Sequence, residues 1–284
     1  MRIASMFRNL LAVSLILAAL ASATAAEQKV TKFARFQIDK TIAYGVVEGE
    51  VIHEISGNLF GDWKRTDKTH PLASVKLLPP TRPSKVLAMA GNYRSHHRGQ
   101  VVNPKFEVPQ LFLKPPSCLL PHGAAIVIPK GITNVHHEGE LVVVIGKRAR
   151  KVSKEKALDY VFGVTCGNDI SARDWQKNDV QWWRAKGSDT FGPCGPFVVS
   201  GLNYGDLDLQ MRVNGEVKQH QRTCDLIHNV AAIVSFASGH MTLEPGDLIY
   251  TGTPGETTEI KPGDVCEVEI EGVGVLRNKV VAGR

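Results

Sequence analysis

The sequence predicts an α+β protein that is predominantly β, with a small β-rich accessory unit at residues 26–78 ahead of a larger domain at 79–284. Three observations carry that expectation. Short runs of β-branched and aromatic residues recur between frequent Gly and Pro turns, and only one long segment has clear helical spacing. The stretch Leu78-Pro-Pro-Thr-Arg-Pro-Ser84 divides the chain, because its prolines fit neither paired strands nor a helix interior. With 43 % hydrophobic and 22 % charged residues, the 284-residue chain is able to bury a sizeable core.

Taken in order, the first segment reads as a signal peptide over residues 1–25. Arg2 and Arg8 precede an apolar run at residues 10–21, and Ala23-Thr-Ala25 places small residues at a cleavage position. The run is too short for a comfortable membrane span, so cleavage and export to a bacterial periplasm are expected, with no stable span afterwards. Phe33-Ala-Arg-Phe-Gln-Ile38, Ala43-Tyr-Gly-Val-Val47 and Val51-Ile-His-Glu-Ile55 read as strands of the accessory unit, the last two joined through Gly49-Glu50.

In the larger part, residues 137–145 and 160–166 read as buried strands, and Ser153 is placed to cap a short helix through Tyr160. Asn214-Gly215 signals a hairpin. Apolar Ile227, Val230, Val234 and Ala237 predict a helix over residues 225–238, stopped at Gly239. Ser171-Ala-Arg-Asp174 has the spacing of a capping box, which makes Asp174 structural.

Charge excludes some partners. Of the formal +6, Arg2 and Arg8 supply two. The one dense basic cluster, Lys147-Arg-Ala-Arg-Lys151, has no aromatic interleaving and reads as a solvated turn, not a nucleic-acid patch. Cys118, Cys166, Cys194, Cys224 and Cys266 have no Cys-x-x-Cys spacing, and an odd count forbids complete pairing; most of them read as small buried residues.

The chemistry concentrates in carboxylates. On a strand, Glu138 and Glu140 fall on one face with Gly139 on the other. Two carboxylates that close repel unless a cation lies between them, and oxygen-only ligation suits Mg²⁺ or Mn²⁺, with Ca²⁺ also compatible. Asp169, at the end of the neighbouring strand, supplies a third oxygen, leaving positions for water and a chelating ligand. Spacing alone proves little. Glu267-Val-Glu-Ile-Glu271 alternates in the same way and reads as an ordinary exposed strand face. Lys186, flanked by Trp182, Trp183 and Phe191, reads as a partly desolvated cation able to hold a developing enolate. Arg173 is expected to make an ion pair with the acidic cluster, and His137 to lie opposite the two glutamates.

Four motifs in sequence decide between these readings: His137-Glu-Gly-Glu140, Asn168-Asp-Ile-Ser-Ala-Arg-Asp174, Arg184-Ala-Lys-Gly-Ser-Asp-Thr-Phe191 and Gly246-Asp-Leu-Ile-Tyr-Thr-Gly-Thr-Pro254. Through them the chain resembles the fumarylacetoacetate hydrolase family over roughly residues 84–281. The resemblance implies a mixed, mostly β roll for the larger domain, frequent homodimerisation, and a cytoplasmic setting that stands against the export signal. It matches Glu138, Glu140 and Asp169 to the metal ligands, Lys186 to the lysine beside the substrate, and Thr253 to the threonine that contacts the substrate carboxylate. His96, in Asn92-Tyr-Arg-Ser-His96, matches a lid histidine that a glutamate three residues later often orients as a base; here that position is Gly99. Gln100, His97 and Glu107 are the candidate substitutes.

The expected reaction is metal-dependent hydrolysis of a C–C bond in acylpyruvate-like or other β-diketo acids, the partner being a small 2-oxo or 1,3-dicarbonyl acid. A decarboxylase, isomerase or hydratase acting on an unsaturated 2-oxo acid is the enzymatic alternative. A carboxylate-binding homologue without turnover is the third.

Overall fold

The computed structural model describes residues 29–97 and 101–284; the signal-peptide expectation and Gly99 lie outside the described residues. The architecture is mostly β. One large sheet runs, in spatial order, Trp63–Pro71, Val51–Gly57, Thr41–Glu48, Thr31–Ile38, Gly192–Ser200, Val161–Asn168, Gly139–Ile145, Leu248–Tyr250, Val86–Met89 and Leu111–Lys114. The accessory strands are therefore continuous with the sheet of the larger part. Phe33 pairs with Val198 across the junction, in an antiparallel register.

A second sheet, ordered Glu216–Arg222, Asp208–Val213, Val265–Ile270, Gly274–Ala282 and Ile126–Ile128, packs on the first. Leu141, Val143, Val164 and Cys166 from the large sheet meet Leu209, Met211, Val268 and Leu276 from the smaller one in the main core. The opposite face of the same central strand carries Val142 and Val144 into another cluster with Ala88 and Tyr250. Burial on both faces explains why residues 141–145 form a continuous apolar run and do not alternate.

The hairpin forms as expected, with Asn214 at φ 53° and Gly215 at φ 82°, the left-handed pair that a two-residue turn needs. Two local expectations are corrected. The long helix spans Val230–His240, and its cap is Asn229, whose side chain accepts from Ala232 N–H; Asp225 sits in a separate 3₁₀ turn and Gly239 lies inside the helix. Ser171-Ala172 is a short strand paired with Val135–His136, so no capping box forms, and the Ser171 hydroxyl donates to the Asp169 carbonyl. Tertiary pairing outweighed a local capping preference there. Ser153 does stand at the start of the 3₁₀ helix Lys154–Tyr160, although its side chain caps no backbone N–H. Sequence reasoning did not anticipate the edge strand Trp63–Pro71. Its Lys64, Arg65 and Lys68 lack any apolar alternation, and such charges suit an edge that must not recruit another strand.

Candidate metal centre and active-site cleft

The site grows from one strand pairing. Gly139–Ile145 runs antiparallel to Val161–Asn168, with Gly139 opposite Asn168. The Asn168 side chain accepts from Glu138 N–H at 2.8 Å, and Asp169 N–H donates to the Glu138 carbonyl at 2.8 Å. These two bonds clamp Glu138, just before one strand, to the last residue of the other strand and to the residue after it. As a result, Glu138, Glu140 and Asp169 offer ligand oxygens that all lie within 4.8 Å of one another, although Glu138 itself precedes the strand.

All three carboxylates are buried, and three cations surround them. Lys186 Nζ donates to Glu138 at 2.6 Å and to Asp169 at 2.8 Å, while Arg173 pairs with the other Glu138 oxygen at 2.7 Å. Lys114, which sequence reasoning missed, donates to Asp169 and to the carbonyls of Lys186 and Phe191. Its only sequence signal was a lysine closing the apolar run Leu111-Phe-Leu-Lys114, and a lysine at a strand end is ordinarily solvated. Gln219 was also missed. It joins the two sheets by accepting from Gly139 N–H and donating to the Thr253 hydroxyl, and Thr253 in turn donates to the Gly139 carbonyl.

The electrostatics are unequal. Burial opposes ionisation of Glu138, but Lys186 and Arg173 overcome it and hold the carboxyl well below the usual range. Burial and the charges of Asp169 and Glu138 push Glu140 well above that range. One Glu140 oxygen accepts from Gly252 N–H at 2.7 Å, and the other is buried with no hydrogen-bond partner among the described residues. Gly252 is at φ +97°, and a Cβ there would come within 2.8 Å of Asn92, so only glycine presents this amide. An orphaned carboxylate oxygen beside two further carboxylates fits a hard divalent cation, which accepts oxygen ligands alone. His137 is not part of this donor set: it is buried with Nε2 3.0 Å from the Thr258 hydroxyl.

Above the carboxylates lies a cleft of about 220 Å³ lined by His96, Phe106, Phe112, Glu138, Lys186 and Thr253 among others. His96 Nδ1 is 2.7 Å from the Gly255 carbonyl, and burial lowers the pKa of the ring. Of the substitutes weighed for the missing glutamate, His97 bonds the Gly91 carbonyl and packs on Phe106, and Glu107 is exposed. Gln100 lies outside the described residues.

A mostly β fold with a buried oxygen-only trio at the end of two paired strands, opening into a cleft, defines a protein built around a divalent-metal centre. Residues 85–281 match the family described as fumarylacetoacetate (FAA) hydrolase C-terminal, and residues 31–80 match an Rv2993c-like N-terminal family. The chain belongs to the fumarylacetoacetate hydrolase family. It is 43 % identical over 250 residues to Protein Rv2993c of Mycobacterium tuberculosis, an alignment covering 84 % of this chain and 94 % of that one. The 5-carboxymethyl-2-hydroxymuconate delta-isomerase structure from Mycobacterium smegmatis superposes with a TM-score of 0.84 at 41 % identity, covering 89 % of this chain and 100 % of that chain. Maleylpyruvate hydrolase from Sphingobium sp. SYK-6, in complex with manganese(II) and pyruvate, gives a TM-score of 0.74 at 31 % identity, with 89 % and 100 % coverage. The acidic trio and the manganese-bound relative together support a divalent metal here.

Proposed function

We propose that this protein is a divalent-metal-dependent enzyme that forms the enolate of a 2-oxo or 1,3-dicarbonyl acid and hydrolyses a C–C bond in acylpyruvate-like substrates. The convergence of His96, Lys186 and Thr253 on one cleft above the buried carboxylates carries this reading. Charge counting narrows the ligand. When ionised, Glu138, Glu140 and Asp169 are balanced by Lys114, Lys186 and Arg173, so a bound divalent cation leaves two positive charges over. Buried charge is costly unless it is paired. A ligand bearing a carboxylate and an enolate oxygen supplies the two negative charges.

Held by the three carboxylates, Mg²⁺ or Mn²⁺ would polarise the chelating oxygens and lower the energy of the enolate. The remaining work falls to side chains. A carbonyl can only accept, so His96 carries its hydrogen on Nδ1 and keeps Nε2 as the base, which takes a proton from the water that adds to the distal carbonyl. Lys186, buried among carboxylates and over the Phe112 ring, donates to the oxygen on which charge develops. Thr253 engages the substrate carboxylate by turning its hydroxyl away from the Gly139 carbonyl.

Isomerisation, decarboxylation or hydration of an unsaturated 2-oxo acid is the second reading, and one observation favours it. His96 is held by a neutral carbonyl, which stabilises an imidazolium less than a carboxylate does and suits steps that need no activated water. The test is turnover of acetylpyruvate, oxaloacetate and a 2-oxo-hexenedioate with Mn²⁺ or EDTA, in ¹⁸O-labelled water. Hydrolysis places solvent oxygen in the released carboxylate; conversion of acetylpyruvate without it refutes the hydrolytic reading. No metal-dependent turnover of any of the three refutes both and leaves a binding protein.

We also propose a homodimer. Support comes from the edge strand Leu111–Lys114, where Leu113 is 57 % exposed beside Trp183 at 66 %. Sedimentation of the purified chain at monomer mass would refute this.

A further inference from the structure

The inference rests on His96 being the base proposed above. His96 is the second of two consecutive residues that grip a single glycine. The Ser95 hydroxyl accepts from Gly255 N–H at 3.0 Å, and His96 Nδ1 donates to the Gly255 carbonyl at 2.7 Å. The two bonds hold opposite sides of one Cα, so the carbonyl that selects the His96 tautomer is fixed by the side chain next door. Gly255 sits at φ +57°, and no atom of the described residues lies within 4 Å of the place a Cβ would occupy. Glycine is therefore favoured there by its backbone conformation and not by space, and a side chain would strain the turn.

The grip is anchored further down the same two segments. The Asn92 side chain donates to the carbonyls of Thr251, at 2.8 Å, and His228, at 3.0 Å, and accepts from His228 N–H at 2.8 Å. Residues 92–96 and 251–255 are thus joined at both ends, and Thr253 lies between the joints. No carboxylate takes part in any of these bonds.

We propose that Ser95 and Gly255 are positioning residues for His96, performing with main-chain groups the orientation that a paired carboxylate would otherwise give. Gly255 selects the tautomer with Nε2 unprotonated, and Ser95 fixes where Gly255 stands.

The test uses the full chain labelled with ¹⁵N-histidine, His96 being assigned by subtraction of a His96→Gln spectrum. In the native protein the two His96 nitrogens are expected at well-separated shifts, one protonated and one bare. In Ser95→Ala and in Gly255→Ala those shifts are expected to move together as the other tautomer is populated. With whichever dicarbonyl substrate is turned over, kcat should fall about tenfold, a part of the 10²–10⁴ that a positioned base supplies, while KM stays within about twofold. Ser95→Thr keeps the hydroxyl and should restore both readouts. Native shifts in both alanine variants, or altered shifts with kcat unchanged, overturn the proposal. If the native enzyme turns over no dicarbonyl, the functional reading fails, and the NMR result still decides whether Ser95 and Gly255 set the tautomer.

Discussion

Removing the Lys114 charge is the most direct probe of how the acidic centre is held together. Lys114 is 1 % exposed, and its three N–H groups meet three acceptors: an Asp169 oxygen and the carbonyls of Lys186 and Phe191. Burial works against its charge, and Asp169 outweighs burial, so the ammonium is held charged above its ordinary pKa. Lys114→Met preserves the methylene stem and deletes the charge. Removing one partner of a buried pair costs about 3–5 kcal/mol; Lys186 still pairs with one Asp169 oxygen, but the other oxygen and the carbonyls of Lys186 and Phe191 lose their buried donor. At about 2–4 °C per kcal/mol for a chain of this size, Tm should fall by about 6–20 °C. Mn²⁺ brings positive charge back beside Asp169, so the rise in Tm on adding it should be larger in the variant than in the native chain. Thermal unfolding by circular dichroism in EDTA and in Mn²⁺ reads both quantities. A loss below about 1 kcal/mol, or an equal Mn²⁺ effect in both chains, would refute the reasoning.

Glu140→Ala should weaken Mn²⁺ binding, measured by titration calorimetry, by more than the ~10–100-fold that loss of a supporting residue costs; unchanged affinity would remove Glu140 from the donor set. His137, pushed down to about 4 by burial, gives a pH effect of known sign. Below its ordinary value of about 6.5 the unfolded chain takes up a proton that the folded chain refuses, so stability falls with pH, by about 2–3 kcal/mol at pH 4.5. His137→Gln should flatten the urea-midpoint profile between pH 7 and pH 4.5, and identical profiles would contradict the assignment. Cys118, Cys166, Cys194 and Cys266 are buried and Cys224 is exposed, all with free thiols; a disulfide-exchange reagent should label one thiol in the native chain and five after denaturation, and labelling of several native thiols would count against this packing. Export predicts a mature N-terminus just after Ala25 by intact mass of the periplasmic fraction, whereas a cytosolic chain retaining Met1 would overturn it.

Elements with a strong local pattern were legible in the sequence. The strands around Phe33, Val46, Ile52 and Val143 and the Asn214-Gly215 turn follow from alternation, burial and left-handed backbone demand, each of which acts within a few residues. Boundaries were less legible. The helix expected from Asp225 begins instead at Val230, behind the cap Asn229, and Ser171 was recruited by a strand, because a cap is worth only about 1 kcal/mol and tertiary pairing outweighs it.

The sequence by itself determined the family, the mostly β class and which carboxylates stand close enough along paired strands to meet, because these depend on residue identity and on spacing over a few positions. The tertiary structure decided what those carboxylates face. Lys114 lies 55 residues from Asp169, Gln219 lies 80 from Gly139, and Gly255 lies 159 from His96. No local periodicity encodes such meetings, since they arise only when the sheets close on one another. The same closure gives His96 a main-chain carbonyl as its partner, where the family resemblance implies a glutamate and this chain has Gly99; a carbonyl is a group every residue carries and no sequence pattern can single out.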